Sequence, residues 1–219
     1  MLFRSAGNAD VWVRPTNQSA LAEMVVDLER GIFEPEWTPD GEALVVRTVS
    51  NSPGSGDILL HRRGAADEAE ELIGGEAQQW GPVVSPDGRW LAYSSDETGQ
   101  FEVYVVPFPN TGGSTFAISS PNGGREVMWA HSGKELFYRS GAGDMIAVAV
   151  EIEGNFVQGA RRELFSTTGY RTVGGHQGYV VTPDDEGFVM IRMAGAGDVA
   201  ELVVVENWFT ELEAVTGNR

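Results

Sequence analysis

Val83-Val84-Ser85-Pro86-Asp87-Gly88-Arg89-Trp90-Leu91-Ala92-Tyr93 is an apolar run, a tight turn and a second apolar run, and it recurs. An earlier copy reads Glu36-Trp37-Thr38-Pro39-Asp40-Gly41-Glu42-Ala43-Leu44-Val45-Val46. A degraded copy, Met128-Trp129-Ala130-His131-Ser132-Gly133-Lys134-Glu135-Leu136-Phe137-Tyr138, puts histidine where the proline stood. The last is Val180-Val181-Thr182-Pro183-Asp184-Asp185-Glu186-Gly187-Phe188-Val189-Met190. The proline positions, 39, 86, 131 and 183, are spaced by 47, 45 and 52 residues, one supersecondary unit per step. Proline presets φ at the first turn position, Asp bonds back to the backbone and Gly takes a positive φ, so each phrase predicts a hairpin.

A second phrase follows each turn: Gly56-Asp57-Ile58-Leu59-Leu60, Phe101-Glu102-Val103-Tyr104-Val105, Gly143-Asp144-Met145-Ile146-Ala147 and Gly197-Asp198-Val199-Ala200-Glu201. Ala9-Asp10-Val11-Trp12-Val13 is an orphan copy near the start. Strand-like runs at 23–26, 71–73, 115–118 and 163–165 close most units. Four short strands joined by tight turns make a propeller blade. The expectation is an all-β propeller of four-stranded antiparallel blades, one domain over 1–219. Its blade segments fall at about 1–31, 32–78, 79–123, 124–175 and 176–219, with a short helix at 208–215. Twenty-eight glycines and ten prolines, spread through every segment, break helical periodicity elsewhere.

A net charge of −17 excludes nucleic acid as a partner, because phosphates demand clustered Lys and Arg. The absence of cysteine removes disulfides, thiolate catalysis and cysteine zinc sites. No run approaches the roughly 20 apolar residues of a membrane helix, and Met1-Leu2-Phe3-Arg4 does not open a signal peptide. The expectation is a soluble chain with no membrane insertion.

The Pro-Asp-Gly phrase followed by a Gly-x-x-Asp-[Ile/Val] phrase at this period resembles the TolB-like (WD-repeat-like) family of β-propeller repeats. The stretch from Tyr179-Val180-Val181 through Leu202-Val203-Val204-Val205-Glu206-Asn207-Trp208-Phe209 is similar to the closing blade of one subset, the C-terminal propellers of bacterial serine/threonine kinase-associated sensor proteins. The resemblance implies an extracytoplasmic sensor or scaffold surface for a protein partner or a small-molecule ligand. No kinase motif accompanies it. The first unit begins at its second strand and the last shows three, so the strands number three, four, four, four and three. That pattern predicts an incomplete ring, the C-terminal piece of a longer propeller, with unpaired edges that favour homo-oligomers.

No Gly-x-Ser-x-Gly elbow occurs; Pro53-Gly54-Ser55-Gly56 reads as a hairpin turn. The informative residues are those entering each innermost strand, which gather at one mouth of a central channel: Ile32-Phe33-Glu34, Gln79-Trp80-Gly81, Gly124-Arg125-Glu126 and His176-Gln177-Gly178. Glu34 and Glu126 both stand five residues before the turn-proline position, and His176 lies two residues earlier in its unit. Two carboxylates and an imidazole could hold a divalent cation, calcium or magnesium by the oxygens, manganese or zinc with the imidazole. Such a metal would serve a hydrolase of esters, lactones or phosphotriesters. The competing reading is a solvated mouth in which Arg125 pairs with Glu126 or Glu34. The candidate ligand contacts are Glu34, Trp80, Arg125, Glu126, His176 and Gln177, and the leading reading is a binding module. His61 is expected on an exposed strand end and His131 in a solvated turn. Asp67-Glu68-Ala69-Glu70-Glu71 reads as a solvated loop, and Trp37, Trp80, Trp90 and Trp129 as core between blades.

Overall fold

Each Pro-Asp-Gly turn joins two antiparallel strands, and the strands assemble into five separate sheets. The computed structural model describes residues 2–5, 8–28, 31–49, 56–65, 69–172, 176–192 and 202–205. Blade one holds β1 (Leu2–Ser5), β2 (Asn8–Val13) and β3 (Glu23–Val26). Blade two runs β4 (Gly31–Trp37), β5 (Ala43–Val49), β6 (Ile58–Arg62) and β7 (Ala69–Ile73). Blade three runs β8 (Gln79–Val84), β9 (Trp90–Ser95), β10 (Glu102–Pro107) and β11 (Phe116–Ala117). Blade four runs β12 (Gly124–Trp129), β13 (Glu135–Ser140), β14 (Asp144–Glu151) and β15 (Val157–Ser166). Blade five holds β16 (Tyr179–Val181), β17 (Phe188–Ile191) and β18 (Leu202–Val205).

The three, four, four, four and three strands of the sequence reading are all present, each paired with its chain neighbour. Among the described residues no strand pairing joins one sheet to another, so the sheets do not close on themselves. The helix expected at 208–215 and the phrase at 197–201 lie outside the described residues.

Middle strands are buried on both faces and therefore read as continuous apolar runs; β5, β9 and β10 are buried along nearly their whole length. Outer strands such as β15 face solvent over most of their residues. The hydrophobic cores lie between blades. Val83, Trp90 and Val105 of blade three meet Trp129, Leu136, Val148 and Phe156 of blade four. Trp90 and Trp129 both contact the Phe156 ring, at 5.4 and 6.5 Å between centroids. The Trp129 indole N–H donates to the Val83 carbonyl across the junction at 3.2 Å. Trp90 and Trp129 are thus the inter-blade core that was expected. Trp37 and Trp80 are not. Trp37 is 38% exposed beneath the Arg63 guanidinium, and Trp80 is half-buried, stacked on Phe101 at 4.1 Å.

The turns explain both departures from the repeat. In three copies the Thr38, Ser85 or Thr182 hydroxyl donates to the Asp two residues on, each at 2.6 Å. The next position is left-handed: Gly41, Gly88 and Gly133 have φ of 72°, 73° and 70°. In the last copy Asp185 holds this position at φ 61°, a conformation that disfavours a non-glycine residue. Its carboxylate accepts the His131 amide at 2.6 Å and the Ser132 amide at 2.8 Å, with His131 Nδ1 at 2.9 Å. His131 is exposed, as expected of a turn residue, but it is not simply solvated. A proline there would have no N–H to give. The missing proline of blade four and the missing glycine of blade five therefore meet and compensate one another. Partial burial pushes the Asp185 carboxyl up, but the bonds from Ser132 and His131 outweigh it and hold the group below the ordinary value.

Restoring the repeat consensus at one partner alone, His131→Pro or Asp185→Gly, is expected to destabilise the fold. The double variant costs less than the sum, with a coupling on the order of 1 kcal/mol in urea unfolding. A carboxyl with a lowered folded pKa contributes fully at neutral pH. The coupling therefore fades as the pH falls through the carboxylate range.

Candidate functional site

The inner strands β4, β8 and β12 each carry a β-bulge, with register slips at Phe33/Glu36, Trp80/Val83 and Arg125/Met128. The residue at each slip is left-handed: Glu34 at φ 50°, Gly81 at 56° and Glu126 at 58°. Pro35 and Pro82 follow two of these residues, at the one kind of place in a ladder where a missing N–H costs little. A left-handed glutamate is strained by roughly 1–2 kcal/mol. What offsets the strain is the direction it gives the side chain.

Glu34 Oε2 accepts the Gly81 amide of blade three at 3.0 Å and the Arg47 Nε–H of its own β5 at 2.7 Å. Glu126 Oε2 repeats this arrangement, accepting the Gly178 amide of blade five at 2.7 Å with Arg139 Nε of β13 at 3.4 Å. Each glutamate therefore ties its blade to the backbone of the next, neutralised by an arginine from its own second strand. Arg139 is 2% exposed, lies over the Tyr179 ring, and donates to the Arg171 carbonyl at 3.1 Å. Tyr179 in turn donates its hydroxyl to the Glu126 carbonyl at 2.7 Å. Burial pushes the Glu126 carboxyl up, partly countered by Arg139 and by the Gly178 amide.

The 176–178 segment reaches the other inner strands. The His176 ring stacks on Phe33 of β4 at 5.9 Å, and its Nδ1 lies 3.4 Å from Glu34 Oε1. The Gln177 amide nitrogen donates to the Val127 carbonyl at 3.1 Å and to the Gly81 carbonyl at 3.4 Å. A side chain at 81 would bring its Cβ within 2.6 Å of Gln177 Nε2; one at 178 would stand 2.8 Å from the Arg171 carbonyl. Both positions accept glycine for want of room.

The structure thus brings Glu34 to His176, and Gln177 to the backbones of β8 and β12. Glu126 is held apart with Arg139 and Gly178, which corrects the expected three-residue metal set of Glu34, Glu126 and His176. Among the described residues no group of three His, Asp or Glu side chains is disposed to hold a metal ion. Arg47 and Arg139 are the close partners of the two glutamates, and Arg125 adds a weaker charge interaction with Glu126 in line with the expected pairing. Arg125 is exposed and lies over Phe101 at 5.9 Å, completing a Trp80–Phe101–Arg125 stack. His61, expected on an exposed strand end, is 3% exposed. Sequence reasoning also missed Glu36, whose carboxyl is pushed up to about 7 by burial and by the charge of Glu34. The signal was there in Glu34-Pro35-Glu36, two acids flanking a bulge proline on an inner strand.

Antiparallel four-stranded sheets set side by side, with short polar inner strands meeting at their bulges, define a β-propeller. The fold is that of the TolB-like propellers: a TolB-type structure from Agrobacterium tumefaciens superposes with a TM-score of 0.53 at 21% identity, over 74% of this chain and 59% of its own. A puromycin-hydrolysing peptidase of Mycobacterium tuberculosis gives 0.60 at 15% identity, over 94% of this chain and 37% of its own. In sequence, the uncharacterized protein Atu1656 of Agrobacterium fabrum is 29% identical over 100 residues, 42% of this chain and 33% of that protein. The chain therefore spans about a third of that relative and under two thirds of the TolB structure. No protein-family model matches the chain. No helix among the described residues is long and apolar enough to cross a membrane.

Gly81→Ala is expected to lower stability by roughly 1–3 kcal/mol, through left-handed strain and collision with Gln177. Glu36→Gln should do the opposite at neutral pH. A carboxyl whose folded pKa is raised to about 7 destabilises the fold increasingly as the pH climbs from its ordinary value to 7. The variant gains on the order of 1 kcal/mol at pH 8 and nothing at pH 4, read from melting curves at the two pH values.

Proposed function

We propose that the chain is a binding module of the propeller type, whose contact surface is the channel-mouth face around Trp80, Arg125, His176 and Gln177. One observation carries the reading. The groups at the mouth suited to chemistry, Glu34 and Glu126, are buried and commit Oε2 to inter-blade bonds, whereas Trp80, Phe101 and Arg125 form a displayed ledge. Arg125 is exposed, and although its charge is felt by Glu126, it makes no close salt bridge among the described residues. A half-buried aromatic pair capped by an arginine has the composition of an interface hot spot. The resemblance to TolB-like sensor propellers favours a protein partner and a place outside the cytoplasm. The inner edge of β1 and the outer edge of β18 have no strand partner among the described residues, which favours self-association.

A second reading, a metal-dependent hydrolase of esters, lactones or phosphotriesters, draws on Glu36, a carboxyl near neutrality beside Glu34, which in turn meets His176. Two measurements separate the readings. In affinity capture, a partner that also binds as a purified protein should lose about tenfold or more in affinity to the Trp80→Ala/Arg125→Ala double variant. Equal recovery by both proteins overturns the proposed surface. In an ester, lactone and phosphotriester panel, turnover that is abolished by chelator and by His176→Ala in a folded protein establishes the hydrolase. Light scattering should show a mass above that of one chain; a monodisperse monomer rules out edge association.

A further inference from the structure

Asn122-Gly123 is the one Asn-Gly step in the chain; the other seven asparagines are each followed by a residue with a side chain. It stands immediately before β12, the inner strand that carries Arg125 and Glu126. Asn122 is exposed at the end of a turn in which its N–H donates to the Ser119 carbonyl at 3.1 Å. That turn is anchored. The Ser119 hydroxyl donates to Glu102 at 2.8 Å, and the Pro121 carbonyl accepts from the Gln100 side chain at 2.9 Å. Among the described residues neither the Asn122 side-chain amide nor the Gly123 N–H has a hydrogen-bond partner.

Asp40-Gly41 and Asp87-Gly88 set a side chain of the same length before a glycine, and they are held differently. There the glycine N–H donates to the Thr38 or Ser85 carbonyl, at 2.8 Å in each, and the aspartate accepts the turn hydroxyl at 2.6 Å. Their nucleophile is tied down, and an ionised carboxylate is a poor electrophile. Asn122-Gly123 has a free amide nitrogen, an untethered carboxamide and no Cβ at residue 123 to obstruct their meeting.

We infer that Asn122 is a site of self-modification through a cyclic imide. The Gly123 nitrogen attacks Asn122 Cγ; the new C–N bond closes a five-membered ring, and the side-chain nitrogen departs as ammonia with the Gly123 proton. One water then opens the ring. Opening at the side-chain carbonyl leaves aspartate. Opening at the main-chain carbonyl leaves a β-linked aspartate, whose backbone is one methylene longer. The surroundings have no slack for that methylene. A Cβ on Gly124 would stand 2.7 Å from the Tyr138 ring, and one on Gly141 would stand 2.7 Å from the Asn122 carbonyl. The Gly123 carbonyl accepts the Gly141 amide at 3.3 Å, and the Gly124 amide donates to Phe101 at 2.8 Å. The longer chain therefore shifts the entry of β12, and with it Arg125 and the bond from Gly178 to Glu126.

The test holds the intact chain in mildly alkaline buffer and follows it by proteolytic mapping and mass spectrometry. An isoaspartate O-methyltransferase reports the β-linked product. Asn122 should convert ahead of every other asparagine, while Asp40 and Asp87 stay α-linked, and Asn122→Gln should lose the signal. The aged protein should melt at a lower temperature than the fresh protein. Fresh Asn122→Asp, which has the charge without the methylene, should melt like wild type. An unchanged Asn122, or conversion no faster than at the other asparagines, overturns the site. Converted protein that melts like fresh protein, or Asn122→Asp that melts as low as the aged chain, overturns the role of backbone length.

Discussion

A hydrogen bond from the Gly178 amide to the Glu126 carboxylate, with its counterpart from Gly81 to Glu34, sets the spacing of adjacent blades at their inner ends. The bonds are charge-assisted and largely dry, and each carboxylate is met by an arginine in its own blade. Removing one member leaves a buried charge, which typically costs 3–5 kcal/mol. The left-handed bulge that aims the glutamate and the glycine in the facing blade are both conditions for that bond. The cores between blades supply most of the stabilisation. The bulge glutamates supply the register in which those cores meet.

Much of the architecture was legible because its determinants are local. Pro-Asp-Gly turns, apolar runs and acidic strand entries repeat within a single blade, and a reader can count strands from them. The mouth was legible by the same logic: Glu34, Glu126, His176 and Gln177 were placed by distance from the turn proline. Their roles were hidden because their partners are backbone amides in another blade, and no residue type announces an amide. One long-range signal was present. Arg47 follows Glu34 by 13 residues and Arg139 follows Glu126 by the same step. At the equivalent places blade three has Gly81 and Ser94, so acid and base are retained or lost together.

The misread residues cluster where the repeat is broken. Trp37 and His61 were judged by their own surroundings, but their exposure depends on blade one, which lacks an inner strand among the described residues. His131 and Asp185 looked like separate decay of a motif. Each explains the other only when turns 54 residues apart are seen to touch.

Glutamate and glycine alternate at the inner-strand entries, Glu34, Gly81, Glu126 and Gly178, each acid reaching a glycine in the blade that follows. Alternation of this kind has a parity. It can run around a circle without a fault only when the number of blades is even. With an odd number, two acids or two glycines must fall side by side at one seam. Across blades two to five the repeating unit is thus the blade pair, and a duplication or deletion within them that respects the pattern adds or removes blades two at a time.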